Sequence, residues 1–111
     1  MSSNITDKLT LEELWVMYKR HYLINKQAAI QKFLTHIGII NLFNEYPTEA
    51  EIRILIAKTR ADSYKKIAQL LNLSVKTVET HLGNLKQKVK NFDLNSIIYS
   101  IKITDPHALD L

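Results

Sequence analysis

Hydrophobic residues recur at every third or fourth position along most of the chain, which is the spacing of amphipathic α-helices. Short polar or proline-containing stretches interrupt this pattern and divide the sequence into six helical segments. Residues 97–103 are the one stretch that would also suit a β-strand, because branched residues are frequent there. The pattern as a whole predicts an all-α fold.

The expected helix starts carry short polar residues whose oxygens accept hydrogen bonds from the first free amides of a helix. Two of them have the capping-box spacing, a threonine followed three residues later by a glutamate: Thr10 with Glu13, and Thr48 with Glu51. The other expected caps are Asn25, Asp62 or Ser63, Ser74, and Asp93 or Asn95. Pro47 separates the first helices from the rest, because the residue before a proline avoids the helical conformation.

The helix expected from Ser74 to about Val89 has one apolar and one polar side when it is projected at 100° per residue. Its apolar side carries Val75, Val78, Leu82, Leu85 and Val89, and its polar side carries Lys76, Thr80, Gly83, Asn84 and Gln87. A short helix and a turn at residues 72–74 come before it. This order is typical of a helix-turn-helix, whose second helix lies in the DNA major groove.

Charge and composition support a nucleic-acid partner and exclude several other classes. Residues 47–92 have a net charge of +5, against +1 for residues 1–46 and −2 for residues 93–111, within a total of +4. A basic middle segment indicates an anionic partner. The chain has no cysteine and two glycines, which excludes disulfides, thiolate metal sites and glycine-rich phosphate loops.

Residues 48–98 resemble the LuxR/GerE-type helix-turn-helix of bacterial transcription regulators. The family's opening Thr-x-x-Glu is found at residues 48–51, and its Lys-Glu-Ile-Ala-x-x-Leu helix corresponds to residues 65–71. The pattern Ile-Ser-x-x-Thr-Val-x-x-His-Leu corresponds to residues 73–82. The resemblance implies a four-helix DNA-binding unit, here with an N-terminal helical extension.

The resemblance also implies which residues contact DNA. Family positions that face the groove correspond to Glu79, Thr80 and Gly83, and the helical wheel adds Lys76 and Asn84 as base contacts. The expected phosphate contacts are Lys65, Lys66, Ser74, Thr77, His81, Lys86 and Lys88. The chain departs from the family pattern at Glu79, where lysine or arginine is common, at Lys66, which replaces glutamate, and at Asn72, which replaces glycine.

We expect a homodimer that binds a pseudo-palindromic site, because one small helix-turn-helix contacts few base pairs. Two apolar sets offer an interface, one in the N-terminal helices and one in the last helix, and we expect the N-terminal set to be the larger. They comprise Trp15, Tyr18, Tyr22, Phe33 and Ile37, and Leu94, Ile97, Ile98 and Ile101. The expected division is an oligomerisation or docking element at 1–46, a DNA-binding domain at 47–104 and a tail at 105–111.

No residue constellation indicates an enzyme, a cofactor or a metal site, because the histidines lack a second ligand at a suitable helical spacing. The sequence shows neither a membrane-spanning segment nor a secretion signal, which favours the bacterial cytoplasm, with nucleoid association when the protein is bound to DNA. Two functions remain open. The first is a sequence-specific transcription regulator, and the second is an adaptor or antagonist that keeps the fold and sequesters a related regulator through its N-terminal helices.

Overall fold

A computed structural model describes residues 9–90 and 93–104, with side chains described as far as Ile101. Its six α-helices are α1 (Leu11–His21), α2 (Lys26–His36), α3 (Glu49–Lys58), α4 (Tyr64–Leu71), α5 (Val75–Lys88) and α6 (Leu94–Thr104). One 3₁₀ turn, Ile40–Leu42, follows α2. Within these ranges there is no β-strand, and residues 97–103 lie in α6, so the all-α prediction is confirmed. The predicted tail at 105–111 lies outside the described residues.

The helices begin at the predicted caps. Both capping boxes are formed: the Thr10 hydroxyl accepts from the Glu13 amide at 3.1 Å, and the Thr48 hydroxyl accepts from the Glu51 amide at 3.2 Å. Of the two alternatives left open for α4, Ser63 is the cap. Asp93 takes the same role for α6, since its carboxylate accepts from the Ser96 amide at 2.8 Å.

Helix α3 lies at the centre of the molecule. Six of its ten residues are buried, Glu51, Ile52, Ile54, Leu55, Ile56 and Ala57, because the N-terminal helices cover one side and the helix-turn-helix covers another. Helices α1 and α2 pack against each other through Trp15 and Phe33, whose rings are in edge-to-face contact with their centroids 5.5 Å apart. A single hydrophobic core contains residues of all six helices. The predicted division at residue 46 therefore stays a prediction, since one core spans both sides of it.

The segment after α2 also contacts the end of α5. Phe43 is buried opposite Val89 in an isolated antiparallel bridge. The Asn44 amide donates to the Lys88 carbonyl at 2.7 Å, and the Lys90 amide donates to the Leu42 carbonyl at 2.9 Å. This pairing joins the N-terminal element to the C-terminal end of the helix that is expected to enter DNA.

Candidate nucleic-acid interface

Helices α4 and α5 are joined by the three-residue turn that the sequence predicts. Asn72 has a φ of 58°, in the left-handed region that asparagine tolerates better than most residues. The Leu73 amide then donates to the Ala68 carbonyl at 2.9 Å, which satisfies an acceptor at the end of α4. Ser74 starts α5 by accepting from the Thr77 amide at 3.1 Å. The turn therefore has the local hydrogen bonds that a helix-turn-helix needs.

Helix α5 is held by one face and exposes the other. Val78, Leu82 and Leu85 are buried in the core, as the wheel predicts. Val75 was expected on the same stripe, but it is 41% exposed in the first turn of the helix. Leu70 of α4 is likewise 58% exposed.

The five expected base contacts lie together on the exposed face of α5. Lys76, Glu79, Thr80, Gly83 and Asn84 are all exposed. The Thr80 hydroxyl donates to the Lys76 carbonyl at 3.1 Å, which leaves its oxygen lone pairs available. No atom lies within 4 Å of a Cβ placed on Gly83, so this position opens directly onto solvent. The face carries the small residues Thr80 and Gly83 between the longer polar side chains of Lys76 and Asn84.

Most of the expected phosphate contacts border this face. Lys65 and Lys66 are exposed in the first turn of α4, and Lys86 is exposed near the end of α5. The Ser74 and Thr77 hydroxyls lie 2.8 Å apart at the start of α5, and His81 is half-buried on its flank. These groups supply donors and positive charge beside the base-contact face.

Lys88 has a partner within the protein itself. Its ammonium lies 2.7 Å from Oε1 of Glu51, and the two side chains are 17% and 3% exposed. The same carboxylate oxygen accepts from the Thr48 amide at 2.9 Å. The ion pair thus joins the start of α3 to the end of α5, a role that the sequence pattern does not predict.

The residues expected at a dimer interface lie mostly inside one protomer. Trp15 and Phe33 are buried between α1 and α2, and Leu94, Ile97, Ile98 and Ile101 are buried on the inner side of α6. The three others, Tyr18, Tyr22 and Ile37, are half-buried. The Tyr18 hydroxyl lies 2.9 Å from Nδ1 of His36, and burial raises the pKa of this phenol. Most of the apolar area of both sets is therefore buried within the protomer's own core.

Among the described residues there is no group of three or more His, Cys, Asp or Glu side chains arranged to hold a metal ion. None of the described helices is long and apolar enough to cross a lipid bilayer.

Comparison with known proteins agrees with the geometry of α3 to α6. The GerE family of bacterial regulatory proteins, the luxR family, matches residues 48–98. No curated protein and no solved structure matches the chain significantly. The matched range begins at the Thr48 cap and ends within α6, so it contains α4, α5 and the turn between them. The match to this family of bacterial regulatory proteins thus covers the helix-turn-helix described above, in slightly less than half of the chain.

Proposed function

We propose that the protein is a sequence-specific transcription regulator that binds duplex DNA through α5. The observation that carries this proposal is the exposed polar face of α5, which lies opposite the buried side chains of Val78, Leu82 and Leu85. A helix so held presents side chains to base edges in the major groove without losing its own packing. Lys76, Thr80 and Asn84 supply donors and acceptors for bases, whereas Lys65, Lys66 and Lys86 supply charge for phosphates.

Lys88 is left out of the proposed phosphate contacts. Its ammonium is engaged by a buried carboxylate at 2.7 Å, and moving it to a phosphate would leave Glu51 charged and unpaired. Its proposed role is to hold α5 in position against α3. The remaining flank residues, Ser74, Thr77 and His81, bind the sugar-phosphate backbone in this proposal.

A dimer on a pseudo-palindromic site is part of the proposal, because a single recognition helix contacts only a few base pairs. The exposed side of α6, which carries Tyr99 at 66% exposure, supports an interface there. The buried residues of α6 then anchor the helix to the core beneath that surface. Light scattering of the full chain, alone and as Tyr99→Ser, measures whether this face joins two protomers.

The adaptor hypothesis is the second candidate, and two residues favour it. Glu79 places a carboxylate on the face that meets DNA, where it repels phosphates, and Gly83 offers no side chain for base contact. An adaptor would keep the fold and bind a related regulator instead. In that case, binding to duplex DNA is absent even in dilute salt.

The deciding experiment is a titration of a labelled duplex at two or more salt concentrations. Electrostatic binding gives a log–log slope of about −0.9 for each phosphate neutralised. Lys65→Ala is expected to weaken binding to all sequences and to make this slope shallower by about one unit. Lys32→Ala, which removes the same charge from an exposed position on α2, is the matched control. Binding that is absent or independent of salt refutes the regulator and favours the adaptor.

A further inference from the structure

A surface groove separates the N-terminal helices from the helix-turn-helix, on the side formed by α1, α3 and α4. Its deeper part has a volume of about 220 Å³ and is floored by Trp15, Ile56 and Leu71. A shallower apolar depression of about 540 Å³ lies next to it along α1 and is lined by Leu9 and Met17. We call these two parts together the α1 groove.

The two parts of the α1 groove share a ridge made by Glu12 and Val16. These residues are four apart on α1 and so stand one above the other on its surface. At its α4 edge, the groove is bordered by Leu70, whose side chain is 58% exposed although its neighbours on α4, Ile67 and Ala68, are buried. Apolar area is therefore presented on both sides of one ridge.

The dimensions argue against a small-molecule site. Ligand pockets usually enclose about 300–1,000 Å³ and bury most of the ligand. The deeper part of the groove is smaller than this, and the shallower part is open to solvent. A short cleft that continues into a shallow apolar surface is the form that receives one or two anchoring side chains of an amphipathic helix.

The charges around the groove indicate the sign of the partner. Arg53 and Arg60 line the deeper part, and Arg20 lines the shallower part. All three are exposed, and none forms an ion pair with a carboxylate among the described residues. The opposing charges are Glu12 on the ridge and Glu13, which is engaged in the capping box with Thr10. Positive charge therefore predominates around the deeper part, whereas the two glutamates outnumber Arg20 in the shallower part.

We propose that the α1 groove is a docking site for an acidic amphipathic helix of a partner protein. Leucine-sized side chains of that helix enter the cleft beside Leu70, and its carboxylates face Arg53 and Arg60 at the deeper part. The groove is formed by α1 of the N-terminal element together with α3 and α4 of the DNA-binding domain. A helix seated there contacts both parts of the protein while the exposed face of α5 stays free.

The test uses the full chain and a defined probe. The probe is a fluorescent 16-residue helical peptide with leucines at helical spacing on one face and glutamates elsewhere, and binding is measured by anisotropy. One control peptide has the same composition in scrambled order. The other has lysine in place of every glutamate. We expect the acidic amphipathic peptide to bind at least tenfold more tightly than either control.

Variants locate the binding surface. Leu70→Glu and Arg60→Glu are each expected to weaken peptide binding about tenfold or more. Leu23→Glu is the matched control, because Leu23 is 72% exposed in the α1–α2 connection and does not line the groove. Circular dichroism establishes that each variant is folded. The duplex titration tests the DNA-binding proposal separately, so its failure leaves the result of the peptide assay unchanged.

Three outcomes overturn the proposal. The first is equal binding of the three peptides, and the second is equal loss of binding in Leu23→Glu and Leu70→Glu. The third is that Leu70→Glu converts a dimer to a monomer in light scattering, which would assign the groove to a second copy of this chain. The proposal is supported if the acidic amphipathic peptide binds at least tenfold more tightly than the controls and if only Leu70→Glu and Arg60→Glu weaken this binding.

Discussion

At the scale of single residues, the ion pair between Glu51 and Lys88 has unequal partners. The Glu51 side chain is 3% exposed, whereas that of Lys88 is 17% exposed and closer to water. Removal of one partner from a buried pair is costly because the other charge is left without compensation. The cost is therefore expected to depend on which partner is removed.

Lys88→Met is expected to lower the free energy of unfolding by about 3 kcal/mol, since it leaves a buried carboxylate whose remaining partner is the Thr48 amide. Glu51→Gln is expected to cost less, because the Lys88 ammonium can turn toward solvent. Urea denaturation at neutral pH measures both. A Lys88→Met variant as stable as the unmodified protein would show that the pair contributes nothing to stability.

Glu79 gives a second prediction at this scale, about DNA binding. A carboxylate on a recognition helix repels phosphates but accepts from the amino group of cytosine. Glu79→Lys is expected to strengthen binding to every duplex and to make the salt slope steeper by about one unit. Glu79→Gln is expected to relax the preference at one base pair by about 1–3 kcal/mol. Selection from a randomised duplex library measures the preference, and an unchanged preference in Glu79→Gln would remove Glu79 from the base contacts.

At the scale of helices, Glu49 fastens both N-terminal helices to the start of α3. Its carboxylate accepts from Lys26 of α2 at 2.8 Å and from Lys19 of α1 at 3.0 Å. The hydrogen bonds from Lys26 and Lys19 hold the pKa of Glu49 below its ordinary value near 4.5. A lowered pKa in the folded state means that the folded protein favours the ionised carboxylate.

The sign of the pH dependence follows from this. The stabilisation by Glu49 is fully present above pH 4.5 and is lost as the pH falls through the lower pKa of the folded state. Glu49→Gln is expected to flatten the fall in melting temperature as the pH drops below about 4.5. Glu45→Gln, at an exposed position that forms no ion pair among the described residues, is the matched control. A melting curve of Glu49→Gln parallel to that of the unmodified protein would contradict the assignment.

How far the sequence predicts these helices depends on the range of the interactions involved. The caps at Thr10, Asn25, Thr48 and Ser74 are local, because donor and acceptor lie three residues apart, and the structure confirms them. The Glu51–Lys88 pair joins residues 37 apart, and the bridge between Phe43 and Val89 joins residues 46 apart. Helical periodicity contains no information about such pairings, so they required the structure.

The candidate site shows the same limit. The wheel correctly placed the exposed polar face of α5, since that face depends on rotation about one helix axis. It misplaced Val75, because exposure in the first turn depends on where the neighbouring helices end. It also gave no reason to separate Lys88 from the other lysines of α5, since the partner of Lys88 lies on α3.

At the scale of the whole molecule, the core is continuous across the boundary expected at residue 46. Phe33 of α2 is fully buried, and α3 is buried between the N-terminal helices and α5. A core shared in this way predicts one cooperative unfolding transition for the full chain. Two independent units would instead unfold separately, the N-terminal one first, because 46 residues form a marginal core.

Phe33→Ala distinguishes these two cases by amide hydrogen exchange. Removal of a buried phenylalanine costs about 3–5 kcal/mol. If the protein unfolds as one unit, the slowest amides of α5 lose the same protection as those of α2, although Phe33 lies on a different helix. Gln31→Ala, at an exposed position on α2, is expected to leave both sets unchanged. Loss of protection confined to α1 and α2 would mean that the N-terminal element opens alone, and the DNA-binding helices would then not depend on it for their stability.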